Sequence, residues 1–250
     1  MVEKLYQNKF AQLYDYYQKG VENDVNFYLN YFRNFNGKIL EIGAGTGRIT
    51  IPLLKKGIDV TAIDIAPKML EVLKEKLEKD NLQARIICTD MRNFKMKEKF
   101  DAVIVTFRTF QHMYSVDDQK ATLKNIKRHL KQKGILIFDV YAPKLKYIEG
   151  GDWQWREDDK EIAPLVKDKI KIFQRNKYDM AEQVMCQEYR VDYLNGKTDT
   201  TNFKMRFFFP FEVRHLLEMT GFEVKNLYGD FKKNKFTTNS PEMVWVAEKK

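Results

Sequence analysis

Residues 40 to 50 read LEIGAGTGRIT, which sets a carboxylate at Glu41 just ahead of glycines at Gly43, Gly45 and Gly47. A strand that runs into a glycine-rich turn and then a helix offers exposed backbone N–H groups and the positive end of a helix dipole, a setting that favours an anionic group. The dinucleotide fingerprint asks for G-x-G-x-x-G. Here the spacing is G-x-G-x-G, and Arg48 stands where the third fingerprint glycine would fall. A carboxylate at the strand tip repels a pyrophosphate at close range and suits a ligand carrying positive charge. The matching ligand has cationic centres, a carboxylate for the helix N-terminus and no phosphate. S-adenosylmethionine, with its ammonium, sulfonium and carboxylate, has that set.

Two further acids extend the pattern. Asp64 ends VTAID, about 20 residues past the glycines, where an acid can accept both hydroxyls of a ribose. Asp90 ends RIICTD and is followed by Met91. The stretch VTFRTFQHMYSVDDQ follows a fourth apolar run, at the strand ends where ligands bind in open α/β sheets. Thr106 and Phe107 there can border a sulfonium, and Arg108 the substrate. Methyl transfer is an in-line displacement that rests on alignment and exclusion of water, so a base is optional. His112, and Tyr14 near the start of the chain, are the candidates for one. The stretch offers no cluster of acids that would hold a metal.

With these residues in view, the chain resembles the class I S-adenosylmethionine-dependent methyltransferases. Glu41-Ile42-Gly43-Ala44-Gly45-Thr46-Gly47 matches that family's first motif, and the order of elements agrees over almost the whole length. In general pattern it is similar to small-molecule members with a late β insertion, including amino-sugar and glycine N-methyltransferase types. The resemblance implies that Asp90 accepts from the adenine amino group and the N–H of Met91 meets the ring. It implies also that Ile65 and Met69 sandwich the base, and that the Tyr14-Asp15 pair belongs to an N-terminal motif of these enzymes. The expected activity is methylation of a nitrogen or oxygen of a small-molecule acceptor. The alternatives are an RNA or protein substrate, or a module that binds S-adenosylmethionine without catalysis.

The elements that must position these groups alternate as βαβα. KILEI, VTAID, ARIICTD, FDAVIVTF and GILIFDVY are apolar strands, and GRITIPLLKKG, PKMLEVLKEKLEKD and a stretch from about Asp117 to Lys131 are helices. Apolar strands separated by helices imply a parallel sheet covered on both faces. The expected fold is α/β, a Rossmann-like, seven-stranded, mostly parallel sheet with an N-terminal helical cap and an antiparallel β insertion. Residues 1–35 form the cap, 36–141 the cofactor-binding core, 142–205 the insertion, and 206–250 the completion of the core. In the insertion, Met185, Tyr189, Val191 and Tyr193 share one strand face, and Phe203, Met205 and Phe207 another, across an Asn195-Gly196 hairpin signal. Such an apolar face needs a cover, either the acceptor site or a second subunit.

Composition sets the outer bounds. The chain has 250 residues, 44% of them hydrophobic, with a net charge of +9. The lysines are scattered among acids, as in KEKLEKD, which reads as a solvated surface rather than a nucleic-acid footprint. No apolar run reaches the roughly 20 residues of a membrane span, and MVEKLYQNKFAQLYDYYQ is unlike a signal peptide. These features point to a cytoplasmic protein, monomer or homodimer, with no membrane partner. Cys88 and Cys186 fit no metal or redox spacing and read as reduced, buried side chains, and His129 and His215 as structural members of helices.

Overall fold

The computed structural model describes residues 11, 14–15, 20–149, 151–157, 171–193 and 196–250. Strands β1 (Lys38–Ile42), β2 (Asp59–Asp64), β3 (Arg85–Cys88), β4 (Phe100–Val105) and β5 (Leu130–Tyr141) pair in parallel. β10 (Phe222–Tyr228) and β11 (Glu242–Lys249) complete a seven-stranded sheet of order β10-β11-β5-β4-β1-β2-β3, with β11 antiparallel to both of its neighbours. The expected class, a mostly parallel Rossmann-like sheet plus a separate antiparallel sheet, is the observed one.

The helices follow from spacing and caps. In α3 (Pro67–Lys79), Met69, Leu70, Leu73 and Leu77 recur at helical intervals and are buried, and Pro67 sits in the first turn, where its missing N–H costs nothing. α4 (Val116–His129) is capped by Ser115, whose hydroxyl accepts from the Asp118 N–H at 3.1 Å. α6 (Pro210–Met219) again opens on proline, with the Glu212 carboxylate accepting from the Phe209 N–H at 3.3 Å. One sheet face packs Leu40, Val103, Leu136 and Trp245 against Leu123 and Ile126 of α4 and Leu217 of α6. The other packs Ile39, Ala102, Ile137 and Val244 against Phe27 and Tyr28 of α1 (Asp24–Tyr31) and Leu53 of α2 (Thr50–Lys55).

Between β5 and α6 lie the short α5 (Leu145–Glu149) and a second sheet, β6 (Arg156–Glu157), β7 (Lys171–Asp179), β8 (Val184–Asp192) and β9 (Thr198–Arg206), all antiparallel. Met185, Tyr189, Phe203 and Met205 form the buried cluster on its inner face, packed against Tyr141 of the main sheet. On the insertion, the Arg175 guanidinium lies 4.4 Å from the ring centres of both Trp153 and Trp155. The β8–β9 turn closes by Gly196 N–H to Tyr193 C=O at 3.0 Å, whereas Asn195 lies outside the described residues.

Two expectations need correction. The helix expected to reach Lys131 stops at His129, because the chain passes directly into β5, whose first residues pair with Phe100. Cys88 is exposed and Cys186 half-buried, so neither is a core side chain, though both are free thiols. His129 is structural: its Nε2 accepts from the Met96 N–H at 3.1 Å and its ring packs on Phe94.

Candidate functional site

The glycine turn sits at the C-terminal end of β1 and is tied to β2. The N–H groups of Gly43 and Ala44 donate to Ile63 C=O at 2.9 and 3.1 Å, and Gly43 and Gly45 have φ of +75° and +55°. Asp64, at the end of β2, joins two elements: one oxygen accepts the Gly45 N–H and the other the Ala66 N–H, each at 2.8 Å. Burial pushes the Asp64 carboxyl up, against the pull of those backbone donors.

These residues open into a cavity of about 1060 Å³. It is lined by Gly43, Gly45, Asp64, Ile65, Met69 and Met91 of the core and by Tyr178, Gln187, Tyr189 and Phe203 of the insertion. Ile65 is 40% exposed, a large apolar side chain presented to the cavity beside Asp64. That pairing suits a flat heterocycle carrying a ribose. Asp90 also lines the cavity, but its carboxylate is chelated by Arg92, whose Nε lies 3.0 Å from both oxygens and which reaches Asp118 at 2.9 Å as well. Arg92 holds the Asp90 carboxyl below its usual range.

Four of the motif residues stand behind the cavity rather than on its wall: Glu41, Ala44, Thr46 and Gly47 are not among its lining residues. Glu41 is 1% exposed and accepts hydrogen bonds from the hydroxyls of Thr50 and Thr106, the latter at 3.1 Å. It braces the strand tip. Thr46 instead ties down the N-terminal segment: its hydroxyl donates to Asp15 at 2.6 Å, and Lys76 bonds both Asp15 and Thr46 C=O. This latch brings Tyr14 onto the cavity wall, against Ala66 and Met69. Burial pushes the Tyr14 phenol up, so it remains a protonated hydroxyl near neutral pH and can donate but not serve as a base.

The segment after β4 is strained. Phe107 and Arg108 have φ of +53° and +62°, conformations that cost a non-glycine residue about 1–2 kcal/mol each. The strain is held by Asp139, whose carboxylate accepts the Arg108 N–H at 2.9 Å, and by Glu242, whose carboxylate pairs with the Arg108 guanidinium. Arg48 pairs with Asp24 and stacks 4.7 Å from the Phe107 ring centre. His112 ends the 3-10 turn Thr109–His112 on the cavity wall, its Nδ1 3.5 Å from the Tyr114 hydroxyl.

The buried acids give a pH dependence. Burial pushes Glu41 up to about 7, and burial with the nearby Glu242 carboxylate pushes Asp139 up to about 7 against the pull of Arg108. Unfolded, both groups release their protons near pH 4. Between about pH 4 and 7 the folded state therefore binds protons the unfolded state has lost, and stability falls as pH rises through that window, by on the order of 3 kcal/mol per group. Thermal unfolding is expected to give a lower Tm at about pH 8 than at about pH 5.5. The double variant Glu41→Gln, Asp139→Asn should flatten the slope; an unchanged slope would assign it elsewhere.

The structure thus brings Gly43, Gly45, Asp64, Ile65, Met69, Asp90, Met91, Phe107, Arg108, His112 and Tyr14 to one cavity. Sequence reasoning missed Arg92, Asp139 and Glu242. Arg92 had a visible signal, a cation two residues after the acid it chelates; Asp139 and Glu242 read as ordinary members of strands. Among the described residues no cluster of His, Cys, Asp and Glu could hold a metal ion, and no helix is long and apolar enough to cross a membrane. For S-adenosylmethionine the residues fit: acids beside an exposed apolar wall, and side-chain-free glycines that allow close approach.

Comparison with known proteins agrees with this geometry. Residues 39–134 match a family model described as a methyltransferase domain. The chain is 27% identical over 220 residues to the putative methyltransferase YqeM of Bacillus subtilis, covering 85% of this chain and 84% of that one. It is also 27% identical over 249 residues to a glycine/sarcosine N-methyltransferase of Aphanothece halophytica, covering 96% and 87%. Its fold is similar to that of a solved S-adenosylmethionine-dependent methyltransferase from Clostridium acetobutylicum, with a TM-score of 0.81, 19% identity, and 96% and 98% of the two chains covered.

Proposed function

We propose that this chain, a class I S-adenosylmethionine-dependent methyltransferase, methylates a nitrogen or oxygen of a small molecule held between the glycine turn and the inner face of the insertion. The observation that carries the reading is the cavity, whose volume of about 1060 Å³ is at the upper end for a single ligand site, roughly 300–1,000 Å³. That is room for the cofactor and a modest acceptor, under a roof of side chains. The Aphanothece halophytica relative, named for methylation of glycine and sarcosine, supports a small acceptor.

When bound, S-adenosylmethionine supplies a methyl group on a sulfonium. Asp64 would hold the ribose hydroxyls, and the outward lone pairs of Asp90 the adenine amino group, with Ile65, Met69 and Met91 flanking the base. Phe107 borders the reacting end, and Thr106, buried behind that wall, donates to Glu41 beneath the turn. Tyr14 donates a hydrogen bond to the acceptor or cofactor, which leaves His112 as the group that takes a proton where the acceptor must lose one. The insertion's Tyr189 and Phe203, stacked with ring centres 5.9 Å apart, exclude water from the displacement.

A screen of amines, phenols and carboxylic acids for acceptor-dependent formation of S-adenosylhomocysteine tests the reading. For the acceptor found, Tyr189→Ser is expected to lower kcat/KM about tenfold or more with cofactor affinity within about twofold, because Tyr189 belongs to the insertion and not to the glycine turn or the end of β2. Wild-type turnover together with a halved molar mass in light scattering would instead make the insertion a subunit contact.

A further inference from the structure

The main sheet has a step at the end of β5, on the edge that faces β4. β4 stops at Val105, opposite Phe138, while β5 continues through Tyr141. Past that point the β4-side edge of β5 is bordered by the strained segment 106–114, while β11 pairs its other edge through Tyr141. Gln111, 0% exposed within that segment, fills the gap with its side chain. Its Oε1 accepts the Tyr141 N–H at 3.0 Å, and its Nε2 donates to Arg206 C=O at 2.6 Å. Tyr141 ends β5 and Arg206 ends β9, so one carboxamide bonds both the point where the chain leaves the core for the insertion and the point where it returns.

Other contacts at the same seam reinforce it. The Arg206 guanidinium donates to Tyr114 C=O at 3.0 Å and to Gln183 Oε1 at 2.9 Å, and the Tyr114 hydroxyl donates to Lys204 C=O at 2.8 Å. Thr109, two residues before Gln111, packs where a Cβ on Gly43 would lie. Segment 106–114 therefore touches the glycine turn at Thr109, the cavity at Phe107, Arg108 and His112, and the insertion at Gln111 and Tyr114.

We propose that Gln111 is a positioning residue that fixes the insertion's height over the acceptor chamber by tying its two roots to the segment carrying His112. The proposal rests on the insertion being the cover of that chamber. A carboxamide is the side chain this seam requires, since it must accept from an N–H and donate to a C=O at once. Either bond, once lost, strands a buried backbone group.

Two variants separate the roles. Gln111→Met keeps length and removes both bonds; Gln111→Glu, at a pH where its carboxyl is ionised, keeps an acceptor for Tyr141 N–H and has no donor for Arg206 C=O. Hydrogen exchange followed by mass spectrometry, with and without S-adenosylhomocysteine, reads the result. Amides of β7, β8 and β9 are expected to exchange about tenfold faster in Gln111→Met. Those of β1, β2 and β4 should stay within about twofold, S-adenosylmethionine affinity should be unchanged, and KM for the acceptor should rise. Gln111→Glu should show the same pattern, and it carries the test if Gln111→Met does not fold. Unchanged protection of β7–β9, or a uniform loss across both sheets, would overturn the proposal. Selective loss of protection with wild-type acceptor kinetics would keep the tie and overturn the insertion's role as cover.

Discussion

Gly43→Ala is expected to abolish useful cofactor binding and to lower stability. Gly43 has φ of +75°, which costs an L-residue with a Cβ about 1–2 kcal/mol. A Cβ there would lie 2.3 Å from Thr109 Oγ1 and 2.6 Å from its Cγ2, closer than atoms approach. Thr109 cannot turn aside freely, because its hydroxyl donates to Thr106 C=O at 2.7 Å. Either the turn loses its bond to Ile63 or the segment after β4 moves, and both form the cavity wall. Affinity for S-adenosylmethionine should fall about a hundredfold or more, equivalent to roughly 3 kcal/mol, and Tm by several degrees. Calorimetric titration and thermal unfolding measure the two; binding within about twofold of wild type would show that the turn absorbs the methyl group.

Asp64→Ala should weaken S-adenosylmethionine affinity by about 2–3 kcal/mol. The carboxylate is asked to do three things: order the Gly45 N–H, start α3 through the Ala66 N–H, and meet the ribose. Asp64→Asn can keep one backbone bond and should fall between alanine and wild type. The fold should survive both, since β2 remains paired with β1 over residues 59–63 and with β3 over residues 61–64. A collapse of Tm with affinity intact would make Asp64 a cap and nothing more.

The framework was legible because its signals are local. Period and turn glycines placed the five parallel strands, and the spacing of Phe203 and Met205 marked the inner face of the insertion. The acids at strand ends stood out for the same reason. What stayed hidden is pairing between distant residues. Arg108 and Glu242 are 134 residues apart, Asp139 reads as one more strand residue, and Gln111 carries no motif; only the stacking of β5 beside a strand that ends early gives each its partner. Tyr14 shows a second limit: sequence offers its type, but burial sets its protonation. The short β6 and the 3-10 turn escaped because neither is long enough to establish a period.

The three tryptophans occupy two settings. Trp245 is fully enclosed in the main sheet, while Trp153 and Trp155 stand on the insertion against the same guanidinium. An indole sealed in hydrocarbon emits at shorter wavelength and changes little with ligand, whereas one beside a charge near solvent shifts and quenches as its surroundings move. The protein thus carries its own optical gauge: Trp245 is the internal standard, and the red-shifted component follows the insertion alone, with no label attached.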